Sequence, residues 1–194
     1  MLVEVFKISS RFAAQVSRDP LGATQPIMGI AMDAPGDRPG TLSRFHAGLA
    51  ALEETVSGLS DVALDAEPLG GGWSVRQIVH HLADGDDIWK MAIKMAIGHD
   101  GAEFALGWYQ AMTQQEWANQ WAYSSRPIGA SLSLLRASRE HLLQVLDHIP
   151  DAWNRAVLLR EPDGQIERVP VGFIVEMQAE HVFHHLRRIQ EILK

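Results

Sequence analysis

The sequence predicts an all-α protein of four long helices in one bundle, with a small irregular or hairpin insertion between the third and fourth. Apolar residues recur at spacings of three and four in several segments, as on one face of a helix. Capping signals mark two helix starts, and proline and glycine separate the segments. The 194 residues suffice for one compact domain. We predict an extended lead-in over residues 1–40, rich in proline and glycine towards its end, and a bundle domain over residues 41–194.

The first long helix is predicted to begin at Thr41, a plausible N-cap, and to close at Gly58. Its apolar residues form a seam of the kind that packs against near-parallel neighbours. They are Leu42, Phe45, Leu49, Leu52, Val56 and Leu59.

The second long helix has a well-marked start. Ser74 and Gln77 have the spacing of a capping box, and Trp73 and Ile78 hold the positions of a hydrophobic staple. The apolar stripe that follows predicts a helix running to about Gly98.

The remaining helices are predicted from similar signals. Thr113 and Glu116 form a second possible capping box, for a short helix, and a third long helix follows Pro127. Residues 155–169 contain a Pro-Asp-Gly turn between β-prone residues, which favours a small hairpin. Pro170 is predicted to open the last helix, which continues nearly to Lys194.

Composition limits the function classes. The net charge of −7 disfavours a nucleic-acid partner, which needs clustered Lys and Arg. The absence of cysteine excludes disulfides, thiolate metal sites and cysteine nucleophiles, and fits a reducing compartment. Residues 1–19 lack the apolar run of a signal peptide, and no stretch is apolar enough to span a membrane. The expectation is a cytoplasmic protein without a membrane partner.

Five of the nine histidines fall in two groups, and helical rotation sorts them. In the last helix, His181 and His185 lie near the middle of the apolar face, one turn apart, and His184 lies about 80° to one side. In the second helix, His81 flanks the apolar stripe, whereas His80 lies almost opposite and is predicted to meet solvent. Gly85, one turn past His81, leaves room on the inward side.

Two interpretations of the inward histidines are open from the residues alone. A pair of imidazoles one turn apart can share a metal ion. Alternatively, neutral imidazoles can hydrogen-bond Gln178 and a neighbouring helix, and a single histidine beside an apolar face, such as His81, is usually a hydrogen-bonded core residue.

Two segments resemble motifs of the DinB/YfiT-like superfamily, which is unrelated to the DNA polymerase that shares the DinB name. Residues 71–84 read GGWSVRQIVHHLAD, and residues 180–186 read EHVFHHL. The resemblance covers roughly residues 41–194 and implies a four-helix bundle, metal-dependent hydrolase activity and a homodimer. Carried over position by position, it implies three metal ligands: His81, His181 and His185.

Three imidazoles on a divalent ion leave coordination positions open for water or substrate, as in catalytic rather than structural zinc sites. We predict one divalent ion, with Zn²⁺ or Ni²⁺ favoured and Fe²⁺ or Mn²⁺ also compatible. The leading hypothesis is a hydrolase acting on a small molecule. A transferase that activates a low-molecular-weight thiol, of the bacillithiol or mycothiol type, for attack on electrophiles is the alternative that relatives suggest. A non-enzymatic protein with a structural ion is the third hypothesis.

The sequence identifies no catalytic base. Glu180 lies about 100° from His181 around the helix axis, so it does not share the face of that histidine. Asp84 is placed either to orient an imidazole or to serve as a surface residue, and Arg188 either to hold an anion or to form a salt bridge. Three tryptophans allow either a pocket lining or a core role: Trp89, Trp117 and Trp121.

Overall fold

The computed structural model describes residues 37–161 and 163–194. The predicted lead-in therefore lies almost wholly outside the described residues. In chain order the elements are α1 (Arg38–Val56), α2 (Asp61–Leu64), α3 (Val75–Gly98), β1 (Ala102–Ala105), α4 (Gly107–Gln110), α5 (Gln114–Gln120), α6 (Gly129–His148), a 3-10 turn (Ala152–Asn154), β2 (Ala156–Arg160), β3 (Ile166–Pro170) and α7 (Val171–Ile192). The prediction of a helical bundle with a hairpin before the last helix is confirmed.

The four long helices, α1, α3, α6 and α7, pack around buried apolar residues that form two clusters. Helix α1 contacts α7 and α6, and α3 contacts α6 and α7. The core residues are those that the three-and-four spacing predicts, among them Phe45, Leu82, Leu142 and Ile174, which are fully buried or nearly so. Burial of these apolar stripes is the main force that holds the bundle together.

The start of α1 differs from the prediction. The helix begins at Arg38, and the carboxylate of Asp37 accepts a hydrogen bond from the backbone N–H of Gly40. Pro39 fits in this first turn because the N–H that it lacks has no partner there. Thr41, the predicted N-cap, is instead buried inside the helix.

Both predicted capping boxes are present. At the start of α3, the Ser74 hydroxyl accepts from the Gln77 N–H at 3.3 Å, and the Gln77 side chain accepts from the Ser74 N–H at 3.0 Å. Thr113 and Glu116 make the same pair of bonds at the start of α5. These bonds satisfy N–H groups that the first helical turn leaves without partners.

The hairpin belongs to a three-stranded sheet. Strands β2 and β3 pair antiparallel, and β1 pairs parallel with β2, from Ala102 opposite Val157 to Ala105 opposite Arg160. Strand β1 was not predicted, because four residues are too few to show a clear alternation of apolar and polar side chains. Helix α2, also four residues long, was not predicted either.

The sheet places the start of α7 beside the end of α3. Arg155, just before β2, donates to the carbonyl of Ile97 in α3 and accepts from the N–H of Val171 at 2.8 Å. A side chain at Gly172 would lie 2.5 Å from the ring of Trp153, so only glycine fits this approach. Helices α3 and α7 therefore run antiparallel, which brings His81 opposite the histidines of α7. No helix in the described part of the chain combines the length and apolar character needed to cross a membrane.

Candidate metal centre

Three histidine side chains converge between α3 and α7. The Nε2 atom of His181 lies 3.1 Å from the Nε2 of His81 and 3.0 Å from the Nε2 of His185. The potential ligand atoms of all three residues lie within 4.8 Å of one another. The structure thus brings together the three residues that the sequence singled out.

Helix geometry explains this convergence. His181 and His185 are one turn apart on α7, and their rings meet edge to face with centroids 4.7 Å apart. The ring of His81 meets these two rings at 4.9 and 5.0 Å, also edge to face. Edge-to-face rings can direct one nitrogen each towards a common point.

The donor set fits a cation better than a hydrogen-bond network. Each Nε2 of a neutral imidazole carries either one proton or one lone pair. The Nε2 of His181 takes part in both short contacts, so only one of them can be a regular hydrogen bond. An ion that accepts three lone pairs satisfies all three nitrogens. The spacing of 3.0–3.1 Å also suits ligands at about 2.0–2.1 Å from a shared ion.

Burial keeps the three imidazoles neutral. Loss of solvent lowers the pKa of His81 to about 4. The pKa values of His181 and His185 are lowered well below 6.5, first by burial and then by the neighbouring histidines. Their lone pairs are therefore available at neutral pH, the state in which histidine binds metals.

The prediction that His80 meets solvent is wrong. His80 is 1% exposed, with Nδ1 at 2.8 Å from the hydroxyl of Ser131 and Nε2 donating to the carbonyl of Arg126 at 3.0 Å. Its ring also stacks on Tyr123. The turn before α6 and the start of α6 cover this face of α3, so His80 is a structural residue that ties the two together.

The neighbouring polar residues have other partners. His184 is partly buried beside His185 but lies outside the three-histidine group. Glu180 pairs with Arg44 of α1 at 3.3 Å. Asp84 pairs with Arg126 at 3.4 Å and hydrogen-bonds Tyr123. Arg188 is partly buried one turn beyond His184.

A buried ion pair beside the site was missed. Arg139 of α6 and Asp86 of α3 are 1% and 3% exposed and are joined by bonds of 2.6 and 3.3 Å. Arg139 also donates to the carbonyls of Phe45 in α1, at 2.7 Å, and Gln178 in α7, at 3.1 Å. One guanidinium thus joins all four long helices. The available signal was that Asp86 and Arg139 interrupt apolar stripes, each one turn past a buried leucine.

The ion pair lies close to the three-histidine group. The Gln178 carbonyl that Arg139 binds belongs to the turn of α7 just before His181, and Asp86 follows His81 on α3. Arg139 therefore fixes the axial position of α7 relative to α3. That position determines the distances between the His81 imidazole and the two imidazoles of α7.

Aromatic rings gather along the connection between β1 and α6. The Tyr109 and Trp117 rings stack at 5.5 Å, and the Trp117 and Trp121 rings lie 4.6 Å apart. Trp73 joins this segment to the site, because its ring lies 4.7 Å from that of His81 and its indole N–H donates to Gln115 at 2.9 Å. Of the three predicted tryptophans, Trp117 and Trp121 belong to this cluster, whereas Trp89 packs against Phe104.

The chain is similar in sequence to known proteins. The family model described as the DinB superfamily matches residues 44–189. A protein of Oceanobacillus iheyensis named as a candidate metal-dependent hydrolase is 29% identical over 143 residues, which are 74% of this chain and 78% of the relative. A protein of Geobacillus kaustophilus with the same description is 29% identical over 144 residues, 74% of this chain and 76% of the relative.

Two solved structures share the fold. YfiT from Bacillus subtilis, described as a candidate metal-dependent hydrolase with an unusual four-helix-bundle topology, has a TM-score of 0.69 at 22% identity and covers 90% of this chain and 94% of its own. A mycothiol-dependent maleylpyruvate isomerase has a TM-score of 0.56 at 18% identity, over 78% of this chain and 60% of its own.

Proposed function

The chain belongs to the DinB superfamily, and on that premise we propose that it is a metal-dependent hydrolase in which His81, His181 and His185 hold one divalent ion. The observation that carries the proposal is the group of three convergent, largely buried imidazoles within 4.8 Å. Among residues 37–161 and 163–194, no fourth histidine or carboxylate joins the group. Three protein ligands with a free position are typical of catalytic rather than structural zinc sites.

The exposure of the ligands indicates where a substrate would enter. His81 and His185 are buried, whereas His181 is partly exposed. The free coordination position is therefore expected on the His181 side. When bound, the ion would activate water near neutral pH and polarise a carbonyl oxygen. Zn²⁺ and Ni²⁺ suit three imidazoles best, and Fe²⁺ or Mn²⁺ are compatible.

The surrounding residues orient the ligands and exclude water. The Trp73 ring packs against the ring of His81. Arg139 and Asp86 hold α7 and α3 in register from the core side. Asp84 is paired with Arg126 at 3.4 Å.

A thiol transferase is the second candidate. The same free position would accept a thiolate of low molecular weight, and thiolates bind these metals well. The observation that favours this candidate is the shared fold with an isomerase named as mycothiol-dependent. A purely structural ion is the third hypothesis, and the partly exposed His181 disfavours it.

The test is a turnover assay on Zn²⁺-loaded and Ni²⁺-loaded protein. A panel of small chromogenic esters and amides is measured without thiol, and a chlorinated nitrobenzene electrophile is measured with and without bacillithiol or mycothiol. We expect hydrolysis that requires metal and needs no thiol. His181→Ala is the inactive control, and His184→Ala is the matched control with normal activity.

The outcomes separate the three hypotheses. Turnover that appears only in the presence of the thiol would contradict the hydrolase hypothesis and support the transferase hypothesis. Tight metal binding with no turnover, and no spectral response of Co²⁺-substituted protein to azide or thiol, would contradict both and favour the structural ion.

Bound metal is expected to persist at mildly acidic pH. Protons compete with the ion for the same Nε2 atoms, and burial lowers the pKa of His81 to about 4 and the pKa values of His181 and His185 well below 6.5. The ligands therefore stay neutral at pH 6, where a solvent-exposed histidine is mostly protonated. Dialysis at pH 7.5, 6.0 and 3.0 followed by metal analysis should show retention at the first two values and loss at the third, which lies below the pKa of His81.

The same pKa shifts predict the behaviour of chelator-treated protein. Below pH 6.5 the unfolded chain binds protons at these histidines while the folded chain does not, so stability falls as the pH decreases from 6.5 towards 4. Above pH 6.5 these residues contribute no pH dependence. In the dialysis experiment on metal-loaded protein, complete loss of metal at pH 6.0 would contradict the lowered pKa values of the three histidines.

A further inference from the structure

Gly85 occupies a position that does not require glycine. It lies inside α3, where its φ is outside the left-handed region, and a side-chain carbon built on it would meet nothing within 4 Å. Glycine in a helix interior is less favourable than alanine. Neither the backbone conformation nor the packing requires glycine at this position.

The open space beside Gly85 adjoins the metal centre. Gly85 is one turn past His81 and about 40° from it around the helix, so both lie on the same face of α3. Gly85 is only partly exposed, and a side chain built on it would extend into open space. Antiparallel α7, which carries the partly exposed His181, borders this face.

A group of aromatic rings lies on the chain segment that packs against the neighbouring part of α3. The segment between α4 and α6 packs against α3, because Arg126 pairs with Asp84 at 3.4 Å and Tyr123 stacks on the ring of His80. The partly buried rings of Tyr109, Trp117 and Trp121 form one stacked group in this segment. Trp73 and Gln115 connect this group to His81.

We propose that the Gly85 recess, the space between Gly85, His181 and this aromatic group, binds a planar aromatic or unsaturated group of the substrate while a neighbouring oxygen of that substrate reaches the metal. Gly85 is then a specificity-determining residue, since any larger side chain would fill the recess. The inference rests on the proposed function, because it needs an ion with a free position.

The chemistry of the walls favours such a group. Aromatic side chains bind flat apolar groups through offset stacking and edge contacts as well as through loss of water. The adjacent carboxylate of Asp84 is paired with Arg126, so it offers no free charge to attract a cation. A ligand that joins a metal-binding oxygen directly to a ring would match both parts of the site.

Two hydroxamates with the same chelating group test the inference. Acetohydroxamate and benzohydroxamate are titrated into Zn²⁺-loaded protein by calorimetry. Benzohydroxamate is expected to bind at least about tenfold more tightly. Gly85→Leu should abolish this preference through a loss of benzohydroxamate affinity while keeping the metal content of the native chain, and Gly85→Ala, the matched small substitution, should keep most of the preference. Both variants replace glycine by better helix formers and are expected to fold.

The outcomes distinguish this inference from the proposed function. Equal affinities of the two hydroxamates for the native chain would overturn the recess proposal. A preference for benzohydroxamate that survives in Gly85→Leu would overturn it as well. In both cases the open metal site would stand. If neither hydroxamate binds the metal-loaded protein, the open metal site is overturned, and the recess proposal with it.

Discussion

Replacing His181 with alanine is expected to reduce bound metal from about one equivalent per chain to a trace. The Nε2 of His181 is the atom that approaches both other ligands, at 3.1 and 3.0 Å. Without it, only His81 and His185 remain, and two imidazoles from different helices make a weak site. Affinity should fall by more than about a hundredfold, the upper range for losing a residue that merely supports a ligand. Metal analysis after dialysis against a weak chelator measures this change.

His184→Ala is the matched control for this experiment. His184 belongs to the same helix and is also partly buried, yet it lies outside the three-histidine group. We expect it to retain the full equivalent of metal. Equal metal contents in the two variants would show that the ion, if present, is held elsewhere.

Replacing Arg139 with alanine is expected to destabilise the fold by about 3–5 kcal/mol, the typical cost of leaving one partner of a buried ion pair alone. The substitution leaves the Asp86 carboxylate buried without its cation. It also removes the bonds to the carbonyls of Phe45 and Gln178. A loss of this size is a large fraction of the 5–15 kcal/mol that stabilises most domains. Urea unfolding of metal-free protein would measure it.

Two further variants identify the cause of the loss. The double variant Asp86→Leu/Arg139→Met removes both charges and should regain most of the stability, because well-packed apolar residues often replace a buried ion pair without loss. Arg136→Ala, one turn earlier on α6, removes an exposed pair with Glu53 and should change stability little. A single Arg139→Ala variant as stable as Arg136→Ala would refute the role of the buried pair.

The same variants test whether the ion pair positions the metal ligands. If Arg139 sets the position of α7, the double variant should fold but bind metal more weakly or with an altered Co²⁺ spectrum. A merely structural pair would leave both properties unchanged once stability is restored.

Local signals in the sequence were sufficient for the helix starts at Ser74 and Thr113. A capping box joins residues only three positions apart, so it is complete within the local sequence. His181 and His185 were placed together for the same reason, since helical rotation brings residues four apart onto one face. The three-histidine group was therefore predicted in two steps. Helical rotation sorted the histidines of each helix, and the family resemblance assigned His81, His181 and His185 to one site.

Contacts between distant segments decided the rest. Helical rotation places His80 opposite the apolar stripe of its own helix, but Tyr123, Arg126 and Ser131 cover it from a segment more than forty residues away. Strand β1 exists because β2 offers it a free edge.

The polar residues of the core show the same contrast between local sequence signals and contacts between distant segments. Asp86 and Arg139 look like interruptions of separate apolar stripes until packing places them together. The sequence by itself determined the four long helices and the inward positions of His81, His181 and His185, because these depend on spacings of three and four residues. Only the tertiary structure decided which polar groups meet, because a buried charge is tolerated only where another helix supplies its partner.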